Sequence, residues 1–343
     1  MNFTSDNAYG AAPEILDSIT RANSGAVASY GSDGITATLG KRMNEIFGRE
    51  VAVFPVVSGT AANGLALATL VPPHGAVLCH TDAHIVVDEC GAVEFFSHGA
   101  RLVTIEGRDG KLAVDRIARA LERFRTGFVH HSQPTAVSLT QTTECGTCYR
   151  LEEIAAISAL ARNHGLKLHM DGARFANAVA HLGCSPAEAT WRIGVDALSF
   201  GATKNGALCA EAVVFFDPES VRDFEYRRKK SGHLVSKMRF LSAQLLSYLE
   251  NDRWLVSARR ANAQATRLAR ALEVIRDVEI VHPVEANAVF AHVPDAMATR
   301  LRAAGAQFYD WAPSVGGRTL IRLVCAFATP DEDIMRFIAT AQG

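Results

Sequence analysis

The apolar residues in the first two thirds of the chain form short, β-branched runs that alternate with stretches of helical character. Seven runs between about residues 35 and 245 predict strands, at 51–57, 76–79, 101–105, 136–141, 167–171, 197–200 and 212–216. Strands that alternate with helices are typical of a mostly parallel sheet covered by helices. Such a sheet binds its ligands at the C-terminal edge of the strands. The pattern therefore predicts an α/β fold and directs the search for chemistry to the residues that follow the strands.

The remaining third of the chain has a different pattern. A long helical run covers 238–276, and strand, helix and strand character follows over 278–324. We interpret the chain as an N-terminal segment (1–34) that contributes to the active site and the small domain, a large cofactor-binding domain (35–245) and a smaller α+β C-terminal domain (246–343). The sequence contains no internal repeat, low-complexity tract or linker.

The composition is that of a globular enzyme. The chain has 343 residues, of which 48% are hydrophobic and 21% charged, and these can bury a substantial core. The formal net charge of −1 provides no overall field that would attract nucleic acid. The apolar runs are shorter than the roughly 20 residues that span a membrane, and the N-terminus lacks a basic segment followed by a hydrophobic one. We therefore expect neither a membrane nor a nucleic-acid partner, and we interpret the basic run 227–230 as a solvated helix face.

The seven cysteines predict reduced thiols and a cytoplasmic location. Cys79, Cys209 and Cys325 have apolar neighbours and are interpreted as core residues. Cys145 and Cys148 have the spacing of a redox or metal pair, but no second pair lies at zinc-site spacing. No metal site is expected.

Lys204 is the first candidate for chemistry, because it stands between an apolar strand and a glycine turn. Its amine could condense with an aldehyde as a Schiff base, which is the usual way in which a protein holds pyridoxal phosphate. A solvated loop lysine fits the same octapeptide, so the choice depends on residues upstream.

Asp171 follows the predicted strand 167–171 and precedes Lys204 by 33 positions, which leaves room for a helix and a return strand. A carboxylate beside the pyridine nitrogen of the cofactor keeps that nitrogen protonated, and a protonated ring draws electrons from the substrate. An Asp-Gly pair after a strand is also an ordinary turn.

Two further candidates lie nearer the N-terminus. Ser58, Gly59 and Thr60 lead from a strand into a helix, where free amides and hydroxyls can bind a phosphate dianion. The same residues also fit an ordinary helix N-cap. His84 could stack on the cofactor ring or move protons near neutral pH, although a lone histidine is also typical of a structural position.

These residues occur in the order found in the fold-type I enzymes that depend on pyridoxal phosphate. The chain resembles specifically the L-threonine aldolase group of the beta-eliminating lyase family. The resemblance covers nearly the whole chain and rests on the segments 3–7, 30–33, 58–60, 83–84, 171–174 and 320–324, together with Lys204. The run Asp-Gly-Ala-Arg at 171–174 is the most specific of them.

The resemblance implies aldol cleavage of β-hydroxy-α-amino acids, with L-threonine or L-allo-threonine giving glycine and acetaldehyde. It implies that Lys204 forms the imine with pyridoxal phosphate and that Thr203 and Asp171 also contact the cofactor. It implies that His84 stacks on the ring and acts as the base, or holds a basic water, near the substrate hydroxyl.

The substrate carboxylate needs a planar, bidentate partner, which arginine provides. Arg174, which also lies near the cofactor, and Arg322 occupy the carboxylate-binding positions of the family, and Ser5 adds a hydroxyl. Taken alone, Arg322 in a strand of the small domain also fits a surface ion pair.

The family builds its sites at dimer interfaces, so the resemblance implies a homotetramer. Tyr30, which is also assigned to the substrate, Lys229 and a basic residue of the segment 236–239 are expected to reach the cofactor or phosphate of a neighbouring subunit, and the contact with the phosphate is left open between Lys229, Lys237 and Arg239.

The chain departs from the family pattern in the loop after the central strand. Many members have Asn-Thr-His-Asn there, whereas this chain has Gln141, Thr142, Thr143 and Glu144 and therefore lacks the second imidazole. The departure leaves open phenylserine cleavage or another lyase reaction on the same scaffold. A pyridoxal phosphate protein without turnover is the remaining alternative, and the retained catalytic candidates argue against it.

Overall fold

Seven strands form one sheet in the computed structural model of this chain, which describes residues 1–221 and 223–343. The strands are β1 (Ala52–Val56), β2 (Gly75–His80), β3 (Arg101–Ile105), β4 (Gln133–Thr140), β5 (Lys167–Gly172), β6 (Ala197–Gly201) and β7 (Glu211–Phe215). Their order is β1-β7-β6-β5-β4-β2-β3, and only β7 runs antiparallel to its neighbours. The predicted, mostly parallel sheet is confirmed.

The direction of β7 matters for the site. Because β7 runs against the other six strands, its first residue, Glu211, lies at the edge where those strands end. Glu211 pairs with Gly201, the last residue of β6. The C-terminal edge of the sheet therefore combines six strand ends with one strand start.

Thirteen α-helices accompany the strands in the described residues. They are α1 (Pro13–Ala22), α2 (Gly34–Phe47), α3 (Gly59–Leu70), α4 (His84–Val87), α5 (Ala92–Phe96), α6 (Val114–Leu121), α7 (Leu151–Asn163), α8 (Phe175–Leu182), α9 (Phe224–Lys230), α10 (Arg239–Leu249), α11 (Arg253–Glu273), α12 (Asp295–Ala303) and α13 (Asp331–Gln342). None of the helices in the described ranges has the length and apolar character needed to cross a membrane.

The central strand β5 shows how the sheet separates its two faces. Leu168 and Met170 are buried in the main core, which also contains residues of α7 and α8. The alternation of a strand places His169 and Asp171 on the opposite face, where Asp171 contacts α3. Eight of the twelve residues of α3 are buried, so this helix is enclosed by protein rather than lying on the surface.

The predicted helical run 238–276 is interrupted. Asn251 and Asp252 have φ values of 53° and 54°, and this left-handed backbone separates α10 from α11. L-residues adopt this region rarely and do not extend an α-helix through it. The sequence pattern did not reveal the break because both flanking segments have helical periodicity.

A second sheet of four antiparallel strands follows α11. It contains β8 (Glu279–Ile280), β9 (Ala288–Pro294), β10 (Tyr309–Val315) and β11 (Arg318–Val324), in the order β10-β11-β9-β8. The N-terminal segment joins this unit, since the Phe3 amide donates to Gln307 O at 2.8 Å and Phe3 O accepts from the Val324 amide at 2.9 Å. The domain boundaries themselves stay a prediction.

Candidate active site

One cavity of about 260 Å³ opens at the C-terminal edge of the large sheet. Eight residues predicted from the sequence contribute to its lining: Ser58, Gly59, Thr60, His84, Asp171, Arg174, Thr203 and Lys204. A larger, open groove of about 710 Å³ between α1, α2 and α10 contains none of these residues. The fold thus brings together side chains that are up to 146 positions apart in the chain, counted from Ser58 to Lys204.

The turn that carries Lys204 is fixed on both sides. Before it, the Ala202 amide donates to Glu211 Oε2 at 2.8 Å; after it, Asn205 Nδ2 donates to the Tyr248 hydroxyl at 2.8 Å. The pKa of Glu211 is raised to about 6 by burial. Within the part of the chain that the structure describes, Lys204 Nζ has no hydrogen-bond or ion-pair partner, although its residue lines the cavity. A fixed backbone therefore presents an unpartnered amine.

Asp171 is held at the end of β5 by two hydrogen bonds. Its Oδ2 accepts from Asn63 Nδ2 at 2.8 Å, and its Oδ1 accepts from the Ala173 amide at 2.9 Å. The neighbouring strand end approaches closely, because a Cβ on Gly201 would stand 2.4 Å from Ala173 O. Asp171 and Gly172 are the last two residues of β5 rather than a turn after it; the turn follows at Ala173 and Arg174, and the strand end places the carboxylate at the cavity.

His84 begins the short helix α4 and belongs to the same network. Its Nδ1 lies 2.8 Å from Glu89 Oε1, and Asn63 Nδ2 donates to the same oxygen at 2.9 Å. The hydrogen bond to Glu89 raises the pKa of His84 above its ordinary value. A chain of polar contacts thus runs from His84 through Glu89 and Asn63 to Asp171, so that the imidazole and the carboxylate have fixed relative positions.

The start of α3 has both features predicted for the segment 58–60, an N-cap and free amides that can bind a phosphate. Ser58 Oγ accepts from the Ala61 amide at 3.2 Å, so its hydroxyl is an N-cap. The first amides of a helix, here those of Gly59 and Thr60, have no acceptor within the helix. They lie at the cavity wall, where the helix dipole favours an anion.

Arg174 is already paired. Its Nε and Nη2 donate to the two carboxylate oxygens of Asp6 at 2.7 and 2.9 Å, and Asn287 Nδ2 donates to Asp6 Oδ2 at 3.1 Å. Burial alone would raise the pKa of Asp6, but the charge of Arg174 lowers it below its usual range. The bidentate fork of Arg174 is therefore directed at Asp6, and the N-terminal segment is fixed to the cavity wall.

Two other candidates for the substrate carboxylate lie outside the cavity lining. Ser5 Oγ accepts from the Asn7 amide at 3.1 Å and caps a 3-10 turn, and Asn7 lines the cavity in its place. Arg322 Nη2 donates to Thr4 O at 3.1 Å, and its guanidinium carbon lies 4.5 Å from the centroid of the Trp311 ring. The ion pair considered for Arg322 is not found within the described residues.

The four residues assigned to a neighbouring subunit also lie outside the lining. The Lys229 ammonium stands 4.5 Å from the centroid of the Tyr30 ring, and the Tyr30 amide donates to Ser236 O at 2.9 Å. Arg239 Nη1 donates to Gly25 O at 3.0 Å, and Lys237 is exposed. We call Tyr30, Lys229, Lys237 and Arg239 the outer cluster; its role at a second subunit stays a prediction.

Sequence reasoning missed several polar residues of the site. Asn63, Glu89, Glu144 and Glu211 line the cavity and are hydrogen-bonded there. A common signal links three of them, since Asn63 interrupts an apolar helix, Glu89 ends the run Ile-Val-Val-Asp-Glu and Glu211 begins the strand Glu-Ala-Val-Val-Phe. A polar residue in otherwise apolar surroundings could have identified them.

Two minor interpretations were wrong. Cys209 is exposed and lines the cavity rather than the core, because the glycine turn after Lys204 carries it to the surface. Arg228, in the basic run of α9, is buried: its guanidinium stacks on Phe54 at 5.4 Å and donates to Pro55 O at 3.4 Å. Stacking on an aromatic face is a common way for arginine to lose solvent contact.

The donor set of the cavity fits pyridoxal phosphate. An unpartnered primary amine, a carboxylate held at a strand end and free amides at a helix start are what its aldehyde, its ring nitrogen and its phosphate require. Some buried oxygens at the cavity also lack a partner among the described residues, namely Thr142 Oγ1, Glu89 Oε2 and Glu144 Oε2. In the same described residues, no group of three or more His, Cys, Asp or Glu side chains is arranged to hold a metal ion.

Comparison with known proteins agrees with this geometry. The sequence model of the beta-eliminating lyase family matches residues 2–296. A low specificity L-threonine aldolase of Pseudomonas aeruginosa is 44% identical over 97% of this chain and 94% of its own length, and one of a Pseudomonas species is 43% identical over 98% and 96%. A solved structure of Leishmania major threonine aldolase superposes with a TM-score of 0.94 at 29% identity and covers 99% of this chain and 98% of its own. The chain belongs to the beta-eliminating lyase family.

Proposed function

We propose that this chain cleaves β-hydroxy-α-amino acids, with L-threonine and L-allo-threonine as substrates and glycine and acetaldehyde as products. One observation carries the proposal: the unpartnered amine of Lys204 shares a single cavity with His84 and Asp171, whose positions are linked by hydrogen bonds. The threonine aldolase relatives support this choice of substrate.

The same proposal includes pyridoxal phosphate as the cofactor. Lys204 would bind its aldehyde carbon, Asp171 would face its ring nitrogen, and the start of α3 with the Thr203 hydroxyl would hold its phosphate. When bound, the cofactor supplies a protonated ring that accepts the electrons of the bond broken at the α carbon of the substrate.

His84 is proposed as the group that accepts the proton of the β-hydroxyl, directly or through a water. Its Nδ1 is occupied by Glu89, which leaves Nε2 for the substrate side. Only the neutral imidazole accepts a proton, and the hydrogen bond to Glu89 raises the pKa of His84. Activity should therefore increase with pH up to values above the ordinary histidine pKa of about 6.5.

Arg322 is proposed as the main partner of the substrate carboxylate, because Arg174 already holds Asp6 through two hydrogen bonds. The aromatic ring of Trp311 supports the guanidinium of Arg322, and its buried Nε has no partner among the described residues. An arginine that keeps donors free beside a paired arginine is suited to a bidentate anion.

We further propose a homotetramer in the cytoplasm, with the outer cluster completing the phosphate site of a neighbouring subunit. Tyr30 and Lys229 stack on each other at the surface, and this supports the assembly of subunits. The seven free cysteines, all within the described residues, support the cytoplasmic location. Light scattering of the purified chain, with and without Tyr30→Ala, tests the assembly.

The function is tested by product analysis. The purified chain with added pyridoxal phosphate should release acetaldehyde and glycine in equal amounts from L-threonine and L-allo-threonine. Benzaldehyde from phenylserine at much higher rates would favour the phenylserine alternative, and pyruvate with ammonia from serine would favour β-elimination. If the cofactor binds and none of these products forms from any substrate, the chain is a non-catalytic binding protein and the proposal is wrong.

A further inference from the structure

The loop 141–148 brings the carboxyl group of Glu144 to the backbone of His84. Glu144 Oε1 accepts from the backbone amide of His84 at 2.8 Å. Its other oxygen, Oε2, is inaccessible to solvent and has no partner among the residues that the structure describes. The side chain lines the cavity together with Lys204 and Asp171.

The loop itself is fixed, so Glu144 has little freedom to move away. Thr147 Oγ1 donates to Asp109 O at 2.7 Å, and the Cys148 amide donates to Glu285 Oε2 at 2.7 Å. Gln141 Oε1 accepts from the Tyr149 amide at 2.9 Å across the base of the loop. Hydrogen bonds at both ends of the loop therefore hold Glu144 in contact with His84.

The surroundings favour a proton on this carboxyl. Burial and the nearby charge of Asp171 raise the pKa of Glu144 to about 7, and the hydrogen bond from the His84 amide works against that rise. The titratable groups that share its cavity are His84, Glu89, Asp171, Arg174, Lys204 and Glu211, and Cys79, Cys145 and Tyr149 lie behind it.

We propose that Glu144 is a positioning residue for His84, whose carboxyl group holds the segment that carries the imidazole and holds it more firmly when ionised. A carboxylate accepts a stronger hydrogen bond than a neutral carboxyl group does. The ionised form therefore holds the start of α4 more firmly, and its charge favours a proton on His84. This inference rests on the proposed function only where activity is measured.

The variant Glu144→Gln tests the inference, because it keeps an oxygen acceptor of the same size and never ionises. In wild-type protein labelled with ¹⁵N-histidine, the His84 amide resonance, identified by its loss in His84→Asn, should show the titration of its own imidazole and an additional shift from Glu144 with a midpoint near pH 7. The additional shift should be absent in Glu144→Gln and unchanged in Glu152→Gln, which alters an exposed glutamate of α7. The full chain is measured with and without pyridoxal phosphate.

Kinetics provide the second readout. The kcat of Glu144→Gln for threonine cleavage should be close to that of wild type near pH 6 and roughly 5- to 10-fold lower near pH 8.5, with KM changed less than kcat because Glu144 acts through the position of His84. A decrease of kcat by the same factor at every pH, or a His84 amide that titrates identically in wild type and Glu144→Gln, would overturn the inference. If wild type cleaves no threonine, the proposed function fails, and the amide titration still decides the role of Glu144.

Discussion

Lys204 and Lys229 are both assigned by resemblance to the same cofactor, yet the structure surrounds them differently. Lys204 lies in the turn after β6, which Glu211 fixes, and its amine lines the cavity without a partner among the described residues. Lys229 is exposed on α9 and stacks on Tyr30. A residue that follows a strand has its place in the site fixed by its own chain. A residue on a helix surface becomes part of a site only when another subunit packs against that surface.

The largest expected effect comes from removing Lys204, and the removal of Lys229 provides the comparison. Lys204→Ala should reduce threonine cleavage to background, and excess pyridoxal phosphate should not restore it, because no other lysine of the described residues lines the cavity. The rate of threonine cleavage by Lys229→Ala should be roughly 10-fold lower than that of wild type at low cofactor concentration. It should recover with excess cofactor, because the variant removes only one proposed ionic contact of the phosphate.

The control for both variants is Lys167→Ala, which removes a surface ion pair with Asp196 at the opposite edge of the sheet. If added pyridoxal phosphate fully restored threonine cleavage by Lys204→Ala, the essential amine would belong to another residue.

The next effect concerns Asp171, which the same strand-end argument places. Asp171→Asn keeps the size and the hydrogen-bonding capacity of the side chain but removes its charge, so kcat should decrease by about 100- to 1,000-fold. Asp33→Asn is the matched control, since Asp33 is a buried N-cap of α2 outside the cavity. Steady-state rates decide the outcome, and a decrease for Asp171→Asn no larger than that for Asp33→Asn would contradict the assigned role.

The difference between these regions also explains what the sequence could predict. Lys204, Asp171 and Ser58 were found because a residue that follows an apolar strand must lie at the edge where parallel strands end. Glu211 was missed because its place at that edge depends on β7 running antiparallel, which its own residues do not indicate. Asn63 faces Asp171 only because α3 is buried against the sheet.

The outer cluster was predicted only by resemblance. Its residues lie on a loop between helices, on α9 and around the start of α10, and none of these elements is directed at the cavity by the sheet. The break between α10 and α11 was likewise hidden, because two left-handed residues change the backbone without changing the apolar pattern.

The smallest effect on activity is expected for His169, which is buried on β5 two residues before Asp171. Its Nδ1 lies 2.9 Å from Ser138 Oγ, and its Nε2 lies 3.0 Å from Ser199 Oγ. Burial lowers the pKa of His169 to about 4. Below pH 6.5 the unfolded chain binds a proton that the folded chain excludes, so stability decreases as pH falls from 6.5 towards 4. This shift of the pKa corresponds to a decrease of roughly 3 kcal/mol in the free energy of unfolding between pH 6.5 and pH 4.

Urea unfolding at a fixed protein concentration measures this effect. Between pH 7 and pH 5, His169→Gln should lose roughly 2 kcal/mol less stability than wild type, while its activity at pH 7.5 stays within a factor of a few. His130→Gln, at an exposed histidine, should behave as wild type does. Equal pH dependence of His169→Gln and wild type would show that His169 is not held neutral.

The most direct test of the account is to trap the cofactor on the protein. Borohydride reduction of the full chain loaded with pyridoxal phosphate, followed by proteolysis and peptide mass spectrometry, identifies the lysine that carries it. The account predicts the modification on the peptide that contains Lys204, with none in Lys204→Ala and an unchanged yield in Lys229→Ala at saturating cofactor. Modification of Lys229, or of any other lysine, at wild-type yield in Lys204→Ala would contradict it.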